Sequence, residues 1–361
     1  MDLALGKRLR EMPGPILVTG HTGFKGTWLT LFLQHLDVPV IGLSLAPELD
    51  SLFSRASRTG AIPESFIDIR DFDKASRFMS AHQPSAVIHM AAQPIVLESY
   101  RKPRETFETN VMGTVNLLHS AFNTESVKAV VVVTTDKVYR NDNSGVPFTE
   151  SDPLAGKDPY SASKVGAESV VAAWQQISKV VGGPKVIAVR AGNVIGGGDW
   201  AENRIIPELI RGFANRTTVV VRNPLSTRPW QHVLDPLHGY LLALEALLNG
   251  SSIQTLNFGP DSRSLSVQEV AEQSQKSWPS PTSVEYSKAS HDVNVESIAL
   301  HLDSTKARNS LGWKPCWSQG ESIKSTIEWW DKVLNKSVNS VDACQADIDF
   351  LLNNARSLGI S

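Results

Sequence analysis

Residues 15–28 read PILVTGHTGFKGTW. An apolar run suited to a buried strand gives way to Gly20, Gly23 and Gly26, and then to a segment of helical character. Glycine at these places permits a tight turn, and the missing side chains let a pyrophosphate approach the N-terminus of the helix that follows. The spacing G-x-x-G-x-x-G differs from the G-x-G-x-x-G of simple dehydrogenases. Its position, after a first strand and at the opening of a first helix, is the context a dinucleotide site requires. Gly20, Thr22, Gly23, Phe24, Lys25 and Gly26 are therefore candidate cofactor-binding residues. Lys25 has two readings, as a phosphate contact or as a solvated lysine at the helix start.

From this turn the same alternation runs on through the first half of the chain. Strands are expected at 15–20, 38–45, 65–69, 86–92, 129–135 and 185–192, with amphipathic helices at 27–36, 72–82, 104–123 and 160–180. Most of the strands are apolar throughout rather than alternating, which points to a sheet covered on both faces and hence parallel. Repeated βαβ order predicts a doubly wound parallel α/β (Rossmann) sheet with a smaller mixed α/β substrate-binding lobe. A helix near 235–249 and a strand near 254–258 are expected to return to that sheet. The dinucleotide-binding domain is accordingly placed at 1–192 plus about 226–259, and the substrate lobe at about 193–225 and 260–361.

The chain has 361 residues, 41% hydrophobic and 20% charged, with a net charge of −2. That balance gives no global attraction to nucleic acid or to an anionic membrane. No apolar run reaches the roughly 18 residues of a membrane span, and the segment 1–15 lacks a signal-peptide core. Cys316 and Cys344 form neither a disulfide framework nor a metal-ligand pattern. A soluble cytoplasmic enzyme or binding protein without a metal is the expectation.

The acid that usually ends the second strand and bonds the adenosine ribose is missing. The strand closes as GLSLAPE (42–48), with Ser44 where a carboxylate might sit, and no arginine follows to meet a 2′-phosphate. NAD and NADP are both compatible with this pattern. DIRD (68–71) follows the third strand, where Asp68 and Ile69 could flank an adenine or simply form a strand-end turn.

The fifth strand, AVVVVTTDKVYR (129–140), ends abruptly in two hydroxyls, an acid and an amine. Downstream, DPYSASKVGAE (158–168) sets Tyr160 and Lys164 four apart after a helix-starting proline, so both occupy one helix face. A neighbouring ammonium favours tyrosinate and is expected to lower the Tyr160 pKa from its usual ~10, making it a base for a hydroxyl proton.

With TGHTGFKGTWL, TNVMGTVNLL, TTDKVY, DPYSASK, RAGNVIGGGDWAENRIIP and STRPWQHVLDPLHGYL, the chain resembles the extended short-chain dehydrogenase/reductases that act on nucleotide-sugars, from about Pro15 to Trp330. The resemblance implies that Thr135 binds the sugar 4-hydroxyl, that Tyr160 takes its proton and that Lys164 supports Tyr160. Ala91, near the end of the fourth strand, joins the cofactor site, as do Tyr160 and Lys164. Epimerases of the family stop at the 4-ketone, whereas its dehydratases go on to expel the 6-hydroxyl and need a further acid and base. Asp136 would be the acid for C6 and Lys137 would act at C5, as base or as the cation beside an enolate. Lys in that place resembles the branch acting on CDP-sugars. An Asp beside a Lys is by default an ion pair, so the acid role requires burial to outweigh the cation. Asn193, Arg204 and Arg228 are implied substrate contacts, the arginines suiting a diphosphate because their planar fork binds its oxygens bidentately. The implied function is a nucleotide-sugar 4,6-dehydratase in deoxysugar biosynthesis, a homo-oligomer joined through helices 104–123 and 160–180. An epimerase and a non-catalytic dinucleotide sensor are the alternatives, and the retained Tyr-Lys pair opposes the latter.

Overall fold

Uninterrupted valine, isoleucine and leucine runs form the inner strands of a seven-stranded sheet in which every pairing is parallel. The computed structural model describes residues 6–287 and 300–357. The expected segments at 1–5, 288–299 and 358–361 lie outside these. The strands are β1 (Ile16–Thr19), β2 (Val40–Ser44), β3 (Glu64–Phe66), β4 (Ala86–His89), β5 (Ala129–Val133), β6 (Lys185–Ala191) and β7 (Thr255–Phe258), in the order β7-β6-β5-β4-β1-β2-β3. Chain order reverses at β1, between β2 and β4, which opens a crevice at the carboxyl ends of the strands.

The two faces of the sheet are read directly from side-chain alternation. Ile16, Val18, Ile88, Val131 and Val133 join one apolar core, and Leu17, Val87, Val130 and Val132 join the other. Over the first face lie α1 (Phe24–His35) and the helix Leu234–Leu248; over the second lie α2 (Phe72–His82), α3 (Gly113–Phe122) and α4 (Pro159–Val181). Trp28, Trp313, Trp329 and Trp330 are fully buried and pack in the first core. The helix Ser340–Ser357 docks against α1.

Several element boundaries differ from expectation, the fourth strand for instance ending at His89 rather than at residue 92, and three of them have a visible local reason. The third strand, expected at 65–69, stops at Phe66. Ile67 N–H still donates to Ser44 O at 2.7 Å, after which Asp68 turns the chain, accepting from Asp71 N–H at 2.9 Å. The fifth strand stops at Val133 because Thr135 caps a short 3-10 turn over Asp136–Val138. The helix expected at 104–123 runs from Pro103 to Phe122 but widens to a π turn at Glu108–Met112. Inside that turn Asn110 is buried and donates to Ser163 Oγ at 2.9 Å, binding the turn to α4.

After β6 come short paired segments: Val194–Ile195 with Gln231–His232, Thr227–Arg228 with Leu265–Ser266, and Val219–Val221 with Val284–Tyr286. They carry the loops that follow β6 back to the carboxyl edge of the sheet.

Candidate active site

The glycine turn is built so that no other residue fits two of its positions. Gly20 has φ +74, and a Cβ there would stand 2.8 Å from Ala91 N. A Cβ on Gly26 would stand 2.1 Å from Gly20 O. Gly23 caps α1 without a side chain to meet the first N–H groups, leaving that helix end able to face an anion. Thr22 Oγ1 lies 2.8 Å from Ser44 Oγ and donates to Leu45 O at 3.0 Å, tying the turn to the end of β2. Glu64, the carboxylate nearest this region on β3, is engaged by the buried His21, Nε2 to Oε2 2.7 Å. Because the obstacle at Gly26 is backbone, Gly26→Ala should cost at least about 3 kcal/mol, the upper part of the overpacking range. A lowered thermal midpoint together with lost dinucleotide binding is the expected result.

Of the two residues expected to flank an adenine, Asp68 is gripped by Arg70, Nη2 to Oδ2 2.6 Å, which holds its carboxyl below the usual range. Ile69 is buried against the α3 residue Gly113, where a Cβ would meet Ile69 Cγ2 at 2.7 Å. Ala91 N–H donates to Thr19 Oγ1 at 3.2 Å, beside Gly20.

Just beyond the end of β5 the two threonines take different partners, Thr134 bonding Glu168 and Thr135 bonding Asp136. Thr135 Oγ1 donates to Asp136 Oδ1 at 3.0 Å and accepts from Lys137 N–H at 3.3 Å, and the Thr135 side chain also acts on the Tyr160 hydroxyl. Tyr160, Thr135 and Asp136 thus form one contiguous polar line. Asp136 is 2% exposed, and burial raises its pKa against the opposing pull of Lys137, Thr135 and Arg228. Desolvation therefore outweighs the adjacent cation, and the carboxyl is biased toward its neutral, proton-donating form. Gly192, after β6, leaves the room this requires, since a Cβ there would lie 2.9 Å from Asp136 Oδ2.

Tyr160 corrects the expectation from spacing. Burial pushes its hydroxyl up to about 12, and Thr135 only partly offsets it. Lys164 donates from Nζ to Val133 O at 3.2 Å. Its own pKa falls to about 8 because it is buried, with Glu168 partly restoring it. Lys25 is neither solvated nor simply at the helix start. Its Nζ donates to Tyr240 OH at 2.8 Å and lies 4.8 Å from the centroid of that ring. Burial, then the like charges of Lys164 and Arg204, bring it down to about 7.

Arg204 donates to Asp199 Oδ2 at 3.1 Å and is coupled to Tyr160, which places its guanidinium at the same cleft. Arg228 is buried, donates to Thr227 O at 2.7 Å and faces Asp136. Asn193 is half-buried after β6, its carbonyl accepting from Gln231 N–H at 3.1 Å. Among the described residues no group of three or more His, Cys, Asp or Glu could hold a metal ion, and no helix is long and apolar enough to cross a membrane.

Four cleft residues escaped the reading of the sequence. Tyr240 meets Lys25 across 215 positions of chain, and Ser99 Oγ accepts from Tyr160 N–H at 3.1 Å. Asn110 lay within TNVMGT but carried no signal of its π turn. Glu168 extended the four-residue spacing of Tyr160 and Lys164, and that periodicity could have singled it out.

Residues 16–259 match the NAD dependent epimerase/dehydratase family. The chain belongs to that family. It is 42% identical over 324 residues to the CDP-glucose 4,6-dehydratase of Salmonella typhimurium, covering 87% of this chain and 89% of the relative. Identity to the dTDP-glucose 4,6-dehydratase of Shigella flexneri is 28%, over 87% of this chain and 92% of the relative. The dTDP-glucose 4,6-dehydratase of Streptomyces venezuelae, solved with NAD bound, superposes with a TM-score of 0.75 at 26% identity, covering 91% of this chain and 99% of that one. The doubly wound parallel architecture of the family is the one found here.

Proposed function

We propose that the chain is a lyase, an NAD-dependent CDP-glucose 4,6-dehydratase that converts CDP-glucose to CDP-4-keto-6-deoxyglucose and water. The observation that carries this reading is Asp136. It is a buried carboxyl biased toward protonation, hydrogen-bonded to Thr135 and followed by Lys137. The 42% identity to a CDP-glucose 4,6-dehydratase supports the choice of nucleotide. Gly20, Thr22, Gly23, Phe24, Lys25, Gly26, Asp68, Ile69 and Ala91 would hold NAD, and the close approaches at Gly20 and Gly26 fit a backbone cradle for its pyrophosphate. When bound, NAD accepts the hydride from C4 and returns it at C6.

The chain's own residues handle the protons. Thr135 orients the 4-hydroxyl, and Tyr160 removes its proton. A phenol at about 12 needs positive charge close by to act as a base near neutrality. Arg204 is the cation that already pulls it down, and Lys164, one helical turn along α4, would add to that charge. Once C4 is a ketone, the C5 proton is acidic, and Lys137 acts on it while protonated Asp136 gives its proton to the departing 6-hydroxyl. An epimerase needs neither of these groups. Arg204 and Arg228 would bind the diphosphate and Asn193 the sugar. The loops after β6 and the segment from 260 onward would form the substrate lobe.

The same reading extends to assembly. Phe107, Met112 and, on α4, Ile177 and Val180 are exposed apolar residues on the helices expected to join subunits, and Leu97 and Tyr100 are exposed on the short helix Val96–Arg101 just before the first of them. Sedimentation equilibrium should give a homodimer or higher homo-oligomer, and a monomer at micromolar concentration would remove this part of the reading.

The activity itself is tested by incubating the protein with CDP-, dTDP-, GDP- and UDP-glucose, with NAD or NADP, and looking for a 4-keto-6-deoxy product. CDP-glucose with NAD is expected to give it. No product from CDP-glucose rejects the assignment, and product from another nucleotide alone corrects the substrate.

A further inference from the structure

Behind the catalytic line lies a second, fully buried one that no step of the chemistry uses. Thr134 donates from Oγ1 to Glu168 Oε1 at 2.6 Å, while its N–H donates to Val189 O at 2.9 Å. Arg190 grips both oxygens of the same carboxylate, Nε to Oε1 2.8 Å and Nη2 to Oε2 2.9 Å. The side chains of Arg190 and Glu168 are only 4% and 5% exposed. Arg190 continues to Tyr139 OH at 2.8 Å, which donates to Asn257 Oδ1 at 2.7 Å on β7. One carboxylate thus connects the end of β5, the catalytic helix α4 and β6, with β7 reached through Tyr139.

A buried ion pair is weak evidence for stability, because desolvating both charges offsets most of their attraction. Its placement is more informative. Glu168 stands four residues after Lys164, which stands four after Tyr160, so the three share one face of α4. We propose that Glu168 is a positioning residue for the reaction proposed above: held by Arg190, it fixes Thr134, and through it the neighbouring Thr135, and supplies the counter-charge of Lys164. The charged groups electrostatically coupled to Lys164 are Glu168 on its own helix, Lys25 from α1 and His89 from β4, and Glu168 is the anion among them. His89 is held neutral, with its pKa lowered to about 3 by burial and then by Lys164.

The proposal rests on the reading of Tyr160 and Lys164 as catalytic, and its test includes a readout that needs no substrate. Glu168→Gln keeps an acceptor for Thr134 but strands the Arg190 charge, so it is paired with the double variant Glu168→Gln, Arg190→Met, which removes both charges together. In enzyme labelled with 13C-lysine, the Lys164 side-chain resonance is assigned by its loss in Lys164→Arg and titrated. Removing the carboxylate should move that titration down by about one pH unit or more, the scale of losing a close opposite charge. The alkaline limb of kcat/KM on whichever nucleotide-sugar the enzyme turns over should move down with it. Thr134→Val leaves the ion pair in place. It should lower kcat about tenfold, the scale of a small misplacement of a reacting group, with KM and the Lys164 titration unchanged. A folded double variant whose Lys164 titrates as in the wild type, or a Thr134→Val enzyme with kcat within twofold of wild type, would overturn the proposal. Absence of turnover in the wild type would instead strike the catalytic reading and leave the titration result standing.

Discussion

Replacing Tyr160 with Phe lowers kcat for CDP-glucose about 10³-fold, inside the 10²–10⁴ range of a positioned acid–base group. The substitution keeps the ring that fills the buried site and deletes only the hydroxyl. KM and the thermal midpoint should therefore change little, since binding of the nucleotide portion does not use this hydroxyl. The loss falls on the first step, so reduced nicotinamide does not build up in a single-turnover experiment followed by absorbance. In the wild type the rate should rise with pH as Tyr160 ionises beside its cations. In Tyr160→Phe that dependence disappears, and a variant that keeps both the rate and the pH rise would remove Tyr160 from the mechanism.

The second large effect separates oxidation from elimination. In Asp136→Asn and in Lys137→Ala the first hydride transfer persists, while the 4-keto-6-deoxy product falls by about two orders of magnitude or more, the scale of losing an acid or a base. Reduced nicotinamide then accumulates with substrate, where the wild type shows none at steady state. Asp136→Asn carries a stability signature as well. The folded-state pKa of Asp136 is raised, so the native protein binds more protons than the unfolded chain between the ordinary carboxylate value and the raised one. Wild-type stability falls as pH rises through that window, and Asn, which does not titrate, escapes the loss. The variant should melt at a higher temperature than wild type at pH 7, and the gain should vanish at pH values below the ordinary carboxylate range. A variant no more stable at neutral pH would mean that Asp136 is not held in a desolvated site.

The parallel sheet was legible in the sequence because local signals carry it. Apolar β-branched runs, glycine punctuation and helical periodicity placed β1, β2 and β4 to β7 within a few residues of their observed bounds. The boundary errors have tertiary causes. β3 was drawn too long because SFIDI is apolar enough to continue, yet Asp68 accepts from the Asp71 amide and turns the chain. The π turn at Glu108–Met112 depends on Asn110 finding Ser163 on another helix, which no local periodicity reports.

At the site, the order Thr135, Asp136, Lys137, then Tyr160 and Lys164 was visible, since each group is contiguous or one helical turn apart. Electrostatic direction was only partly visible. Neighbour rules predicted a lowered Tyr160 and an ionised Asp136, whereas burial raises the pKa of both. Burial is a property of what the rest of the chain stacks around a group. The partners of Lys25 and Glu168 lie 215 and 22 residues away in sequence, so neither pairing has a local signature.

The central claim, that the cleft eliminates the 6-hydroxyl after oxidising C4, is tested most directly with CDP-glucose carrying deuterium at C4, incubated with the enzyme in ordinary water. The account predicts a 4-keto-6-deoxy product with that deuterium at C6. In deuterated water with unlabelled substrate, one solvent deuteron should enter at C5. A product that keeps its 6-hydroxyl and carries the label still at C4, with inverted configuration there, would be epimerisation and would contradict the roles given to Asp136 and Lys137.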